Sequence, residues 1–365
     1  MRARRRDHGD RITRAERRRK CRLHLAEHIA VERPRCAVHN ARAVAAVPRT
    51  NRPIEHVEPQ APQGPLVRVA GSSPPTTLVE RVSRAIERAV DATLERLMGE
   101  TFAERMTRVP LALGPSGVDP FGLDPQWARY VFVTVALLYR KYFRAEVHDI
   151  DKVPSGRVLL VANHSGQLPI DGALIAAAMF LDAKTPRIVR AMIEKWAGSL
   201  PFVSLVFTRV GQVIGVPENA KRLLEQGEAL LVFPEGTRGI TKTFDQRYKL
   251  TDFGLGFMRL AIETDTPIVP VAVVGGEEQY ISVGNVERLA RLFRMPAFPI
   301  VPQLLFPGGQ LPLPTKYRLW FGEPMRFTGD PDDDDAVIDE KVWLVRQTIQ
   351  AMLHRALKER QHVFW

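Results

Sequence analysis

Three short runs of unbroken apolar sequence constrain this chain more than anything else in it: Val158 to Ala162, Ala229 to Phe233 and Pro267 to Val274. Each has the length of a strand, and none alternates apolar with polar residues, so each has to be covered on both faces. Helical patterns lie between and after them, over 171–181, over 218–226 ending at Gly227, over 252–264 and over 335–359. Shorter strand signals stand at Arg187 to Arg190, Val213-Ile214 and Tyr317 to Phe321. Strands that alternate with helices specify an α/β fold, a mixed and largely parallel sheet covered by helices.

The first part of the chain reads differently. Residues 1–70 hold 17 of the 52 basic residues and 7 of the 41 acidic ones, so the net charge of +11 is almost all theirs, and the other 295 residues carry +1. Arginines cluster at Arg4-Arg5-Arg6 and Arg17-Arg18-Arg19, and no apolar period persists. Residues 1–75 are therefore expected to be a disordered basic extension, unable to offset its ordering entropy by burial. It is either an arm for an anionic membrane or for nucleic acid, or a dispensable tail. A near-neutral body excludes nucleic acid as the expected partner. Residues 76–149 form an N-terminal helical region, expected to dock on the body or touch a membrane. Its first helix opens on Thr77 and Glu80, spaced as a capping box. Its second, Gln126 to Arg144, mixes aromatic residues with a basic end, as either an interfacial or a buried helix would. Residues 150–365 form the main domain.

Two segments carry chemistry. The run Asn163-His164-Ser165-Gly166-Gln167-Leu168-Pro169-Ile170-Asp171 follows the first strand and opens a helix. Sites in open α/β sheets gather at the carboxyl ends of strands. There Asp171 can reach back to one nitrogen of His164, fix the tautomer and leave the other nitrogen as a base. The plainer alternative has His164 bonded to a loop carbonyl and Asp171 capping the helix. The second segment is Phe233-Pro234-Glu235-Gly236-Thr237-Arg238-Gly239, after the second strand. Gly236 permits close backbone approach, and Arg238 offers a fork for phosphate or carboxylate.

In this order and spacing the two segments resemble the glycerolipid acyltransferase superfamily, the lysophosphatidic acid acyltransferase type, over roughly residues 150–325. The resemblance implies that His164 and Asp171 are catalytic, and that Glu235, Gly236, Thr237 and Arg238 shape the acceptor-phosphate site. It implies a third phosphate contact at Arg209, in Phe207-Thr208-Arg209. The implied reaction moves a fatty acyl group from an acyl thioester of coenzyme A or acyl carrier protein to a glycerolipid hydroxyl, most simply that of 1-acylglycerol-3-phosphate, without metal or cofactor. One departure matters. Six residues separate His164 from Asp171, where the family usually has four. Longer spacings occur in branches that acylate neutral acylglycerols, so a monoacylglycerol, diacylglycerol or alcohol acceptor stands as the alternative, as does a non-catalytic lipid-binding protein.

The longest apolar stretches, Tyr130 to Tyr139 and Ala173 to Leu181, fall well short of the ~20 residues that a spanning helix requires. The expected location is peripheral, on the cytoplasmic face of a membrane and in contact with its lipids. Both cysteines, Cys21 and Cys36, lie in the extension. The acidic run Asp330 to Asp335, just before the last helix, is expected to serve the helix dipole rather than a metal. The apolar, Pro-rich stretch Phe298 to Pro314 is expected to pack on the sheet as an irregular core segment, with a lipid or acyl-chain contact as the alternative.

Overall fold

The computed structural model describes residues 77–365 apart from 166–167, 195–197, 199–202 and 293–297. The basic extension expected over residues 1–75 lies outside them. A seven-stranded sheet organises the rest, in the order β1 (Glu146–His148), β9 (Arg318–Phe321), β6 (Ile268–Val274), β2 (Val158–Ala162), β5 (Ala229–Val232), β3 (Val189–Ile193) and β4 (Val213–Ile214). From β6 to β4 every neighbouring pair is parallel, while β9 runs antiparallel to β6 and carries β1 parallel to itself. This is the mixed, largely parallel sheet that the apolar runs require. The central strands β2 and β6 are buried at every position, which is why neither alternates.

Helices cover both faces. On one lie α1 (Leu78–Met98), α2 (Phe102–Thr107), α3 (Pro125–Leu137) and α4 (Ile170–Leu181), whose apolar residues share one core with Leu160, Leu231 and Val271. The other face is covered by α6 (Pro217–Glu225), α8 (Gly256–Glu263) and α10 (Asp335–Glu359), around Leu159, Leu230 and Ala272. The Thr77–Glu80 capping box opens α1, and Gly99 closes it in the left-handed conformation. The helix anticipated over 126–144 ends earlier as an α-helix and finishes in a π-helical turn, Leu138–Tyr142. Among the described residues no helix is long and apolar enough to cross a membrane. The acids around the start of α10 engage cations: Asp335 meets Arg259 at 2.7 Å, and Asp333 lies 3.9 Å from Lys341.

One expectation is corrected. The segment 298–314 is not a core segment of the sheet. Val301 is buried, but Leu305, Phe306 and Leu311 are 84%, 66% and 65% exposed. It forms β8 (Pro299–Ile300), paired with β7 (Gly284–Asn285), which the short helix α9 (Glu287–Leu292) follows in the chain, and then a 3₁₀ turn, Pro302–Leu305. Pro299, Pro302, Pro307, Pro312 and Pro314 deny it the regular hydrogen bonding that would let it lie flat on a sheet.

Because β2, β5 and β6 are parallel, the loops that follow them leave from one edge. Three segments therefore converge there, opening at Asn163, Phe233 and Gly275.

Candidate active site

His164 stands two residues beyond the end of β2. Asn163 fixes it there by acting as a side-chain extension of the sheet: its Nδ2 donates to Val273 O at 3.0 Å, and its Oδ1 accepts from Val273 N at 2.7 Å. Asp171 lies in the first turn of α4 with its side chain fully buried, and its Oδ2 is 2.8 Å from His164 Nδ1. The same oxygen accepts from Ser165 N at 2.9 Å, and Oδ1 accepts from Gly172 N at 2.8 Å. A buried carboxylate with several donors is held in one orientation, and so is the imidazole on it. The six intervening residues thus leave the pair intact. The imidazole also stacks on Phe233, ring centroids 4.2 Å apart.

Nδ1 is engaged, which leaves Nε2 without a partner among the described residues. A histidine held in this way can accept a proton at Nε2 and keep the resulting charge beside Asp171.

Glu235 lies next to this pair but does not face open space. Its buried carboxylate accepts from His164 N at 3.1 Å, from Thr251 N at 2.9 Å and from Thr251 Oγ1 at 3.1 Å, with Lys242 Nζ 3.4 Å away. It braces the backbone that carries His164. Gly236 adopts φ 57° and ψ −145°, a region essentially reserved for glycine, and this turns the chain from β5 into the one-turn helix α7 (Thr237–Ile240). A Cβ at Gly239 would come within 2.7 Å of His164 Cβ, so only glycine lets α7 close against the histidine. Thr237 lines the cavity described below. Arg238 is exposed and makes no ion pair among the described residues. Arg209 ends α5 (Val203–Arg209) and donates to Asp124, the N-cap of α3, at 2.8 Å. Its guanidinium is thereby tied to α3 rather than joined to the His164 cluster.

Sequence reasoning gave Lys242 and Glu277 no role in the site. Lys242 bridges Glu235 to Glu277, at 3.0 Å from the latter. Burial pushes the Glu277 carboxyl up to about 7, outweighing Lys242, and the negative Glu235 adds to the rise. Unfolded, Glu277 ionises near 4.5, so between the two values the folded state holds an extra proton. The contribution of Glu277 to stability is then fullest below pH 4.5 and is lost as pH rises through 7. Glu277→Gln is expected to flatten that decline, as read from urea midpoints over about pH 5 to 8.

His164 opens on a cavity of about 520 Å³. Most of its walls come from four elements distant in sequence: Ala128, Val131, Phe132 and Val135 of α3; Ala173, Ala176, Ala177 and Phe180 of α4; Val189 and Met192 of β3; Val206 and Phe207 of α5. On α4 the lining positions recur at helical spacing, and alanines at three of them leave the space that larger residues would fill. From Asp171 to Phe180 the helix advances about 14 Å, so the cavity runs inward from the histidine. Phe102, Phe132 and Phe180 line it as an aromatic cluster with centroids 4.6–6.0 Å apart. The volume falls in the ordinary range of ligand pockets, and the lining suits an apolar chain.

Residues 144–274 match the family described as Acyltransferase, a span that contains both motif segments. The chain is 38% identical over 260 residues to uncharacterized proteins of Mycobacterium leprae and Mycobacterium tuberculosis, covering 69% of this chain and 71% and 73% of theirs. It is 26% identical over 212 residues to the DGAT1/2-independent enzyme synthesizing storage lipids of Mus musculus, covering 58% of this chain and 60% of that one. The crystal structure of the 1-acyl-sn-glycerophosphate (LPA) acyltransferase PlsC from Thermotoga maritima is similar with a TM-score of 0.42 and 18% identity, covering 65% of this chain and 83% of that one. On the family match and the extent of the mycobacterial similarity, the chain belongs to the Acyltransferase family.

Proposed function

We propose that this acyltransferase moves a fatty acyl group from a thioester of coenzyme A or acyl carrier protein to the free hydroxyl of 1-acylglycerol-3-phosphate at a membrane surface, with His164 as general base. The observation that carries the reading is the fixed His164–Asp171 pair at the head of a chain-sized apolar cavity. The acyl chain lies in the cavity, which sets the thioester carbonyl beside Nε2. Nε2 takes the proton of the acceptor hydroxyl, the oxygen attacks the carbonyl carbon, and the carbon–sulfur bond breaks. The thiolate leaves with the proton that the imidazolium returns. Proton transfer of this kind contributes about 10²–10⁴-fold to rate.

Arg238 is the cation best suited to the acceptor phosphate: it is exposed and follows Thr237 at the cavity wall. Arg209 would have to leave Asp124 to assist. The test is an acceptor panel of lysophosphatidate, glycerol-3-phosphate and monoacylglycerol, offered to wild type and Arg238→Ala. Arg238→Ala should raise KM for lysophosphatidate and leave monoacylglycerol turnover unchanged. A second reading, a neutral acylglycerol acceptor, is favoured by the six-residue His–Asp interval and by the similarity to the mouse storage-lipid enzyme. Turnover of monoacylglycerol alone would establish it.

The chain-site assignment has its own test. Ala176→Phe, which fills the middle of the cavity, is expected to cut the rate with palmitoyl-coenzyme A by at least about tenfold relative to octanoyl-coenzyme A. An unchanged chain-length profile would remove the cavity from the account.

A further inference from the structure

We propose that the excursion formed by residues 281–292 and 298–311 is the element that seats this enzyme on an anionic phospholipid bilayer; this rests on the lipid-acyltransferase reading above. Exposed apolar side chains are concentrated on it: Val283, Ile300, Leu304, Leu305, Phe306 and Leu311. Clustered exposure along one short stretch of chain is a mark of an interaction surface. Its base, by contrast, is stiffly held. Ile281 N donates to Gln303 Oε1 at 3.2 Å, and Gln303 Nε2 donates to Gln279 O at 3.2 Å. Tyr280 Oη donates to Gln310 O at 2.7 Å, and Tyr142 Oη to Pro312 O at 2.6 Å. Gly308 has φ +80°, and any Cβ at Gly309 would collide with Gln303 O, so the turn that projects Leu305 and Phe306 is built around glycine. The apolar tips are therefore presented without a large further ordering cost.

Two further observations select a bilayer as the occupant. From Ile281 to Leu311 the sequence holds three basic residues and one acidic one, while the body as a whole is near neutral. Basic residues beside apolar ones suit an anionic lipid surface. The excursion also leaves from the catalytic edge. Asn285 Nδ2 donates to Thr241 O at 2.8 Å, and Phe244 N donates to Ser282 O at 2.8 Å, which fastens the hairpin to the segment following cavity-lining Thr237 and Ile240. A bilayer on this patch would lie beside the site, so that a lipid could enter without crossing bulk water.

The test is co-sedimentation of the full chain with phosphatidylcholine vesicles, with and without phosphatidylglycerol. It is run at low and at raised ionic strength, the latter to screen the basic extension. Wild type should bind at both, more tightly with phosphatidylglycerol. Leu305→Asp/Phe306→Asp, or the milder Leu305→Ser/Phe306→Ser, should weaken partitioning by at least about tenfold. Turnover of octanoyl-coenzyme A with a water-soluble acceptor should not change. Val337→Asp/Leu344→Asp, at exposed apolar positions on α10, should bind as wild type. Equal binding by the loop variants, or no wild-type binding at raised ionic strength, would overturn the proposal. So would a loop variant whose only change is a smaller assembly in sedimentation velocity, since the patch would then join copies of the chain. If wild type makes no acylated product yet the loop variants lose vesicle binding, the docking surface stands and the catalytic reading fails.

Discussion

His164→Ala is expected to lower kcat for acyl transfer by at least about 10²–10⁴-fold, the worth of a general base. Thermal stability should hardly change. The imidazole contributes a stacking contact with Phe233 and a bond to Asp171, but Asp171 keeps Ser165 N and Gly172 N as donors, so its carboxylate is not stranded. Binding of the acyl chain should survive, because the cavity wall is otherwise untouched. The profile to look for is therefore a collapse of kcat with thioester affinity retained, read from steady-state kinetics beside a thermal melt. Residual activity near wild type would show that another group takes the proton.

Glu235→Ala should act in the opposite way, first on stability. It removes a buried carboxylate that serves His164 N, Thr251 N, Thr251 Oγ1 and the Lys242 ammonium together. Breaking a buried charged pair from one side costs about 3–5 kcal/mol. In a body of this size the cost lowers Tm by on the order of 10 °C. Activity should fall as well, through kcat, because the backbone carrying His164 loses its brace. Glu235→Gln, which keeps the shape and one acceptor, should recover part of both losses. If Glu235→Ala instead melted as wild type and only raised KM for the acceptor, the carboxylate would be meeting substrate, as the motif alone suggests. The geometry assigns it to positioning.

Local sequence carried a good part of this architecture. The strands β2, β5 and β6 were legible because a strand buried on both faces must be apolar throughout, and such runs leave few alternatives. His164 and Glu235 stood out because each sits within three residues of a strand end, and Asp171 because it opens the helix that follows; their roles came only from the resemblance. Their division of labour was not legible: whether a carboxylate faces substrate or backbone depends on Thr251 and Lys242, which come from other segments. The cavity left only a faint trace, the alanines at helical spacing on α4. Its other walls are brought in by α3, β3 and α5, and no local pattern records that meeting. The α3 region read equally as interfacial or buried, and its residues Ala128, Val131, Phe132 and Val135 line the cavity instead. The 298–314 segment was misjudged for a related reason. Apolar composition says that a segment avoids water, and it does not say whether its own core or something outside the chain provides the shelter.

The central claim, that His164 serves acyl transfer at the mouth of an acyl-chain cavity, is tested most directly by following both products of one reaction. Palmitoyl-coenzyme A would be supplied with vesicles carrying lysophosphatidate or monoacylglycerol, with free thiol measured by colour and acylated lipid by mass spectrometry. The account predicts thiol and acylated lipid in equal amounts with wild type and neither with His164→Ala. Thiol without acylated lipid would make the protein a thioesterase, and acylated lipid formed equally by His164→Ala would take the histidine out of the chemistry. Either result would contradict the account.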